Sequence, residues 1–279
     1  MRKVPARGID LGTTNTIVAA VNSAGHSEVL RTREGDSLIP SVVLLTDDRF
    51  IVGQEALLRG RARPDRLAAC VKQQLGQPYY SQRLGGDLFP PEVLEACILQ
   101  SVKQQWFAEN ETYDTAIAVP AHFNETQRHA VIMAAGMAGI NLIDLVPEPI
   151  AATLAFTEHA PELDAILPPL ADPTQLVLVY DLGGYTFDAS VVRLRPGKVE
   201  LLATVRDSHL GGHDWDLRLA DFLVEPFISK NGIDPRNDPA QLDLLLQRAA
   251  NIKHNLGIRS HSTQNLSLAG QVEQRTVTR

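Results

Sequence analysis

Two short segments of this chain, 171 positions apart, share one design. Ile9-Asp10-Leu11-Gly12-Thr13-Thr14 and Tyr180-Asp181-Leu182-Gly183-Gly184-Tyr185 each place Asp-Leu-Gly after an apolar residue and before a second apolar stretch. A single turn of this kind is common in hairpins for conformational reasons alone. Two copies, both at strand-turn-strand positions and both rich in hydroxyls, point to a phosphate clamp. Glycine lets backbone amides approach an anion closely and form a concave nest of donors. Thr13, Thr14 and Thr186 add hydroxyl donors. Asp10 and Asp181, at the strand ends, repel phosphate but can hold Mg²⁺ or its waters. Two such hairpins facing each other would grip a polyphosphate from both sides.

Composition narrows the class further. The 279 residues carry 26 Lys+Arg against 33 Asp+Glu, a formal charge of −7. That balance argues against nucleic acid as a main partner, since phosphate neutralisation needs concentrated basic residues. Hydrophobic residues at 44% and charged residues at 21% suit a chain with a sizeable core. No apolar run reaches the roughly 18 residues that span a bilayer, and the basic N-terminus lacks the apolar stretch of a signal peptide. Cys70 and Cys97 have no metal-like spacing and read as small core hydrophobes. A cytoplasmic protein without a membrane partner is expected.

Along the chain, strands are expected at 8–11, 17–21, 28–30 and 41–45. A more helical region follows from about 53 to 110, interrupted by a Gly/Pro/Tyr-rich loop at 76–91, with an amphipathic helix over 92–107. Residues 115–119 read as a buried strand stopped by Pro120. Asn124, with Gln127 three residues on, opens a helix with a capping box, and Gly139 closes it. A strand at 142–146 and a helix at 149–156 precede a Pro/Asp-rich loop over 161–173, the expected internal boundary. Strands at 176–181, 186–193 and 198–205 and helices at 214–229 and 241–256 follow. The tail from Arg259 reads as polar apart from Leu266-Ser267-Leu268, which looks like the opening of a further sheet. Trp106, Phe107 and Trp215 are expected to be packing residues.

These residues also carry a resemblance. Gly8-Ile9-Asp10-Leu11-Gly12-Thr13-Thr14-Asn15 resembles the first phosphate motif of heat-shock chaperones of the DnaK type, the heat shock protein 70 family. Val179 to Asp188 is similar to their second. Val119-Pro120-Ala121-His122-Phe123-Asn124 with Gln127-Arg128 resembles the family's Val-Pro-Ala-Tyr-Phe segment, and Pro147-Glu148-Pro149-Ile150-Ala151-Ala152 resembles its hinge. Leu210-Gly211-Gly212-His213-Asp214-Trp215-Asp216 resembles its Leu-Gly-Gly-Glu-Asp-Phe-Asp loop. The matches run in order across nearly the whole chain.

The resemblance implies an α/β chain with an actin-like ATPase (ribonuclease H-like) fold: two lobes with duplicated sheet cores around a nucleotide cleft, here residues 1–172 and 173–279. It implies ATP or ADP with Mg²⁺ as cofactors. It implies catalytic roles for Lys72, Glu148, Asp181, Thr186 and Asp188, with Asp10 and Asp181 about the metal. Nucleotide contacts are implied for Gly12, Thr13, Thr14, Asn15, Gly183, Gly184, Tyr185, Gly211, Gly212 and Lys253. Client polypeptides bound through a separate substrate domain, a J-domain co-chaperone and a nucleotide exchange factor are the implied partners. Lysine is scarce, six residues in all, so one standing at the family position of Lys72 carries weight.

Three departures from the family pattern bear on activity. Tyr185 replaces the third glycine of the second phosphate loop. It either crowds the phosphate, or strains the backbone if the position needs φ > 0, or points away from the ligand. On the adenosine helix, Ala250 and Gly257 replace a glutamate and a serine. A lost hydrogen-bonding pair of this kind costs roughly 1–3 kcal/mol, so weakened adenosine binding is expected. The family's further adenosine loop is not found before Arg279, which suggests about three quarters of a nucleotide-binding domain. The competing expectations are a degenerate, weakly nucleotide-binding chaperone-like scaffold, or another actin-fold ATPase or kinase, such as a sugar kinase or a filament-forming actin relative.

Overall fold

A computed structural model describes residues 4–158, 174–268 and 270–279. The Pro/Asp-rich loop expected at 161–173 lies outside the described residues. The chain divides into two units, one comprising residues 1–181 and 188–205, the other residues 182–187 and 206–279.

In the first unit, β1 (Ala6–Leu11) and β2 (Asn15–Val21) form the first repeat hairpin, followed by β3 (Ser27–Val29) and β4 (Ile39–Pro40). Next come β5 (Val42–Leu45), β6 (Phe50–Val52), α1 (Gln54–Gly60), β7 (Leu67–Ala69) and α2 (Pro91–Trp106). The unit continues with β8 (Asp114–Val119), α3 (Glu125–Met137), β9 (Leu142–Pro147) and α4 (Glu148–Glu158). The central sheet runs β3-β2-β1-β8-β9, with β4 added against β2. β1 is antiparallel to β2, pairing Asp10 with Ile17, and parallel to β8, pairing Asp10 with Ala118. Its core joins Ile9, Leu11 and Val18 with Ile117, Val119 and the inner faces of α2 and α3. A small sheet, β6-β5-β7, stands beside it.

The expected helical region at 53–110 needs correction: β7 and two 3-10 turns, Pro64–Arg66 and Val71–Gln74, lie inside it. At three residues, β7 is too short to show a period. The expected capping box is present. The Gln127 amide donates to Asn124 Oδ1 at 2.9 Å, and the Asn124 amide to Gln127 Oε1 at 3.2 Å. Gly139 follows the helix at φ 66, and Lys103 Nζ donates to its carbonyl at 2.6 Å. That bond ties α2 to the end of α3.

The second repeat hairpin is β10 (Gln175–Leu182) and β11 (Phe187–Arg195), extended by β12 (Lys198–Asp207) into a sheet ordered β10-β11-β12. The second unit takes in the turn of that hairpin, then α5 (Gly212–Asn231), α6 (Pro239–Ile258) and the hairpin β13 (His261–Leu268) with β14 (Gln271–Thr278). Its core is separate: Leu223, Val224 and Phe227 of α5 pack with Leu245, Ala249 and Ile252 of α6 and with Leu266 and Leu268. The tail read as polar is therefore a paired hairpin whose Leu266 and Leu268 are buried. Trp215, expected to pack, is exposed, whereas Trp106 is half-buried and donates its indole N–H to the Arg31 carbonyl at 3.0 Å. Cys70 and Cys97 are half-buried rather than fully in the core. Among the described residues no helix is long and apolar enough to cross a membrane.

Candidate functional site

Five of the residues singled out in the sequence come together in the first unit. Lys72 rides on the 3-10 turn Val71–Gln74, which begins at Cys70 in the left-handed region, φ 56. That backbone turn buries a lysine, 6% exposed, beside the start of α4. There its Nζ meets Glu148 Oε1 at 2.5 Å. Glu148 is the first residue of α4, where the helix dipole favours an acid.

Asp10 keeps contact with solvent but is closely surrounded by protein. Its carboxyl is pushed above the usual carboxylate range mainly by burial, with Lys72 pulling it down and Glu148 and Asp181 pushing it up. Asp181 is raised for the same leading reason, with Glu148 and Asp188 adding to the rise and Lys72 opposing it. Asp188 also lies 3.9 Å from His122 Nδ1. One buried ammonium thus faces a set of carboxyls that repel one another. A divalent cation suits such a place, because it relieves that repulsion. Among the described residues no three His, Cys, Asp or Glu side chains are grouped to hold a metal unaided. Asp10 and Asp181 match an ion that takes one or two carboxylates and completes its shell with water and phosphate oxygens.

The first turn, Gly12–Asn15, is closed by backbone approach. A Cβ at Gly12 would collide with the carbonyl oxygen of Asn15. Thr13 is half-buried and Thr14 exposed, and the Thr14 carbonyl accepts from the Ser41 amide at 2.8 Å. The second turn repeats the device, since a Cβ at Gly183 would sit 3.3 Å from the Thr186 oxygen. There the Gly183 amide donates to that oxygen at 2.8 Å.

In the second unit the turn Gly183–Tyr185 is bound to the start of α5. Gly212 and His213 donate their amides to the carbonyls of Gly183 and Gly184, at 2.9 and 2.7 Å. A Cβ at Gly211 would clash with the Tyr185 backbone, so that glycine is required by contact. Among the described residues Cys70 is the one non-glycine with positive φ. Tyr185 therefore carries no left-handed strain, and its ring lies on His213 with centroids 4.9 Å apart. Lys253 of α6 donates to the Gly212 carbonyl at 2.6 Å and lies 2.7 Å from Asp216, fastening α6 to α5. Ala250 is half-buried on the same helix.

Sequence reasoning missed two groups. His122 stands where the resembled motif has tyrosine, a signal that was available. Glu95 is 1% exposed on α2; its signal was its position three and four residues before Ile98 and Leu99, on the buried stripe.

A family model described as "Hsp70 protein" matches residues 6–84 and 65–278. The chaperone protein DnaK of Halobacterium salinarum is 38% identical over 261 residues, covering 93% of this chain and 40% of that protein. The DnaK proteins of Thermotoga neapolitana and Thermotoga petrophila are 36% and 35% identical over 262 residues, covering 93% of this chain and 42% of each relative. The chain thus spans about two fifths of the length of the curated relatives it matches. A mixed central sheet and duplicated Asp-Leu-Gly hairpins fit the actin-like ATPase fold that this family has. With the ordered motifs, the fold and these matches in agreement, the chain belongs to the Hsp70 family, as a nucleotide-binding domain of the DnaK type.

Proposed function

We propose that this domain binds ATP and ADP with Mg²⁺ and hydrolyses ATP, driving a chaperone cycle. The observation that carries the reading is the pairing of buried Lys72 with half-buried Glu148 at 2.5 Å, set in the shared field of Asp10 and Asp181. Lys72 would leave this pair to contact the terminal phosphate, and Glu148, so released, would orient a water. Asp188, with His122 beside it, would accept a hydrogen bond from the attacking water, and Thr186 would donate its hydroxyl to phosphate. Thr13, Thr14 and the amides of Gly12 to Asn15 would bind phosphate oxygens in the first unit. Gly183, Gly184 and Tyr185, buttressed by Gly211 and Gly212, would do so in the second. Mg²⁺ held by Asp10 and Asp181, directly or through water, would supply charge neutralisation on the phosphates. Positioning and electrostatics would do most of the work, as in phosphoryl transfer generally. In the whole protein, client polypeptides, a J-domain co-chaperone and a nucleotide exchange factor would be the partners. Residues 1–172 and 173–279 would form its two lobes.

A second reading, a weakly nucleotide-binding scaffold, has two observations in its favour. Lys253 is committed to Gly212 and Asp216, and Ala250 offers adenosine no polar group. Calorimetric titration with MgATP, beside Lys72→Ala, separates the two. Binding with turnover that Lys72→Ala abolishes is expected. Absence of both heat and turnover in the wild-type chain would favour the scaffold, or an incomplete site, instead.

A further inference from the structure

Glu95 is a buried carboxyl that the proposed chemistry does not use. It shares the packed stripe of α2 with Pro91, Ile98, Leu99 and Val102, all buried. Neither of its oxygens accepts a hydrogen bond from the described residues. A carboxylate so placed is costly unless it is neutralised or paired. Burial pushes its pKa up to about 7, with the Lys72 ammonium acting in the other direction.

Among the described residues, Lys72 is the charged group whose field reaches Glu95. α2 packs against the turn that carries Lys72 and against α3, β5 and β6. The titratable residues there are Glu125, Arg128 and His129 of α3, with none on β5 or β6, and α2 itself adds Glu92, Cys97 and Lys103. Of the charged groups around it, the Lys72 ammonium is the one whose field acts on the Glu95 carboxyl. The same ammonium is held at 2.5 Å by Glu148.

We propose that Glu95 is a positioning residue for Lys72, a second carboxyl on the core side that competes with Glu148 for its ammonium. It thereby sets how readily Lys72 reaches a terminal phosphate. This inference rests on the ATP reading above. When Glu95 is neutral, Lys72 is attracted only toward the site, by Glu148, Asp10 and Asp181. When Glu95 is ionised, negative charge behind the ammonium holds it back. Since the terminal phosphate distinguishes ATP from ADP, preference for ATP falls as pH rises through the Glu95 titration.

Two measurements on the full chain test this. Carboxyl carbon NMR without nucleotide follows the wild type, Glu95→Gln and Lys72→Met. Calorimetry then gives ATP and ADP affinities of the wild type, Glu95→Gln and Glu95→Ala between about pH 6 and about pH 8. One carboxyl absent from Glu95→Gln should titrate near neutrality and move upward in Lys72→Met. The wild-type preference for ATP should fall about tenfold per unit of coupling between the two groups, while both Glu95 variants stay at the low-pH level. A carboxyl unmoved by Lys72→Met, or a pH step retained in Glu95→Gln, overturns the inference while leaving ATP binding standing. Absence of ATP binding at every pH, with the carboxyl shift intact, overturns the ATP reading and the positioning role with it.

Discussion

At Gly12 the missing side chain is a matter of contact: a Cβ there meets the Asn15 carbonyl, whereas one at Gly8, on the strand before the turn, meets nothing within 4 Å. Gly12→Ala must open the turn, and by analogy with overpacked sites should cost roughly 1–3 kcal/mol. Gly8→Ala should be close to neutral, and urea unfolding of the two variants distinguishes them. Glu95 makes a pH prediction of the opposite kind. Its acid is neutral in both folded and unfolded chains below its ordinary value of 4.5. Between 4.5 and about 7 the folded chain holds the extra proton. Stability is therefore lost as pH rises through that window and levels off above it, a loss of about 3 kcal/mol at most. Glu95→Gln should remove this slope and be the more stable protein above neutrality, as thermal melts across pH would record. If the variant melts in parallel with the wild type, Glu95 is ionised like an ordinary carboxylate.

Among the elements, those with local signals were legible. The capping residues of α3, the proline before α2 and the apolar run of β8 act over a few residues, so their structure follows from neighbours in the chain. Asn124→Ala removes both reciprocal bonds of the box and should destabilise the protein by about 1 kcal/mol, measurable as a shift in the unfolding midpoint. β7 escaped because three residues show no period, and it exists by pairing with β5. The hairpin β13–β14 escaped for another reason. Its strands are mostly polar; Ser262, Leu266 and Leu268 of β13 are buried, and from β14 Val277 packs against the same core. That sparse alternation gains meaning once α6 covers it. Lys72 sits on a turn whose shape depends on Cys70 holding a left-handed angle, which no residue-type preference would have suggested.

For the molecule as a whole, two separate apolar clusters underlie the two units. Phe227 is fully buried in the second cluster. Phe227→Ala should cost about 3–5 kcal/mol locally and raise amide exchange across 206–279. The central sheet of the first unit should keep its protection, as hydrogen-exchange mass spectrometry would show. Uniform loss of protection in both units would mean that they unfold as one.

The amino-acid sequence by itself determined the family, the α/β order of elements, the paired Asp-Leu-Gly turns and the identity of Lys72, Glu148, Asp10 and Asp181 as residues to watch. These are statements about residue type and short spacing, which chain-local physics and motif order can carry. Only the tertiary structure decided that Lys72 is buried and meets Glu148, 76 positions away, that Tyr185 avoids positive φ and rests its ring on His213, and that Lys253 is fastened to Gly212 and Asp216. It also decided that Glu95 shares the field of Lys72. Each of these is a long-range contact whose strength depends on burial and on the exclusion of water, and neither quantity is defined until the sheets and helices have packed.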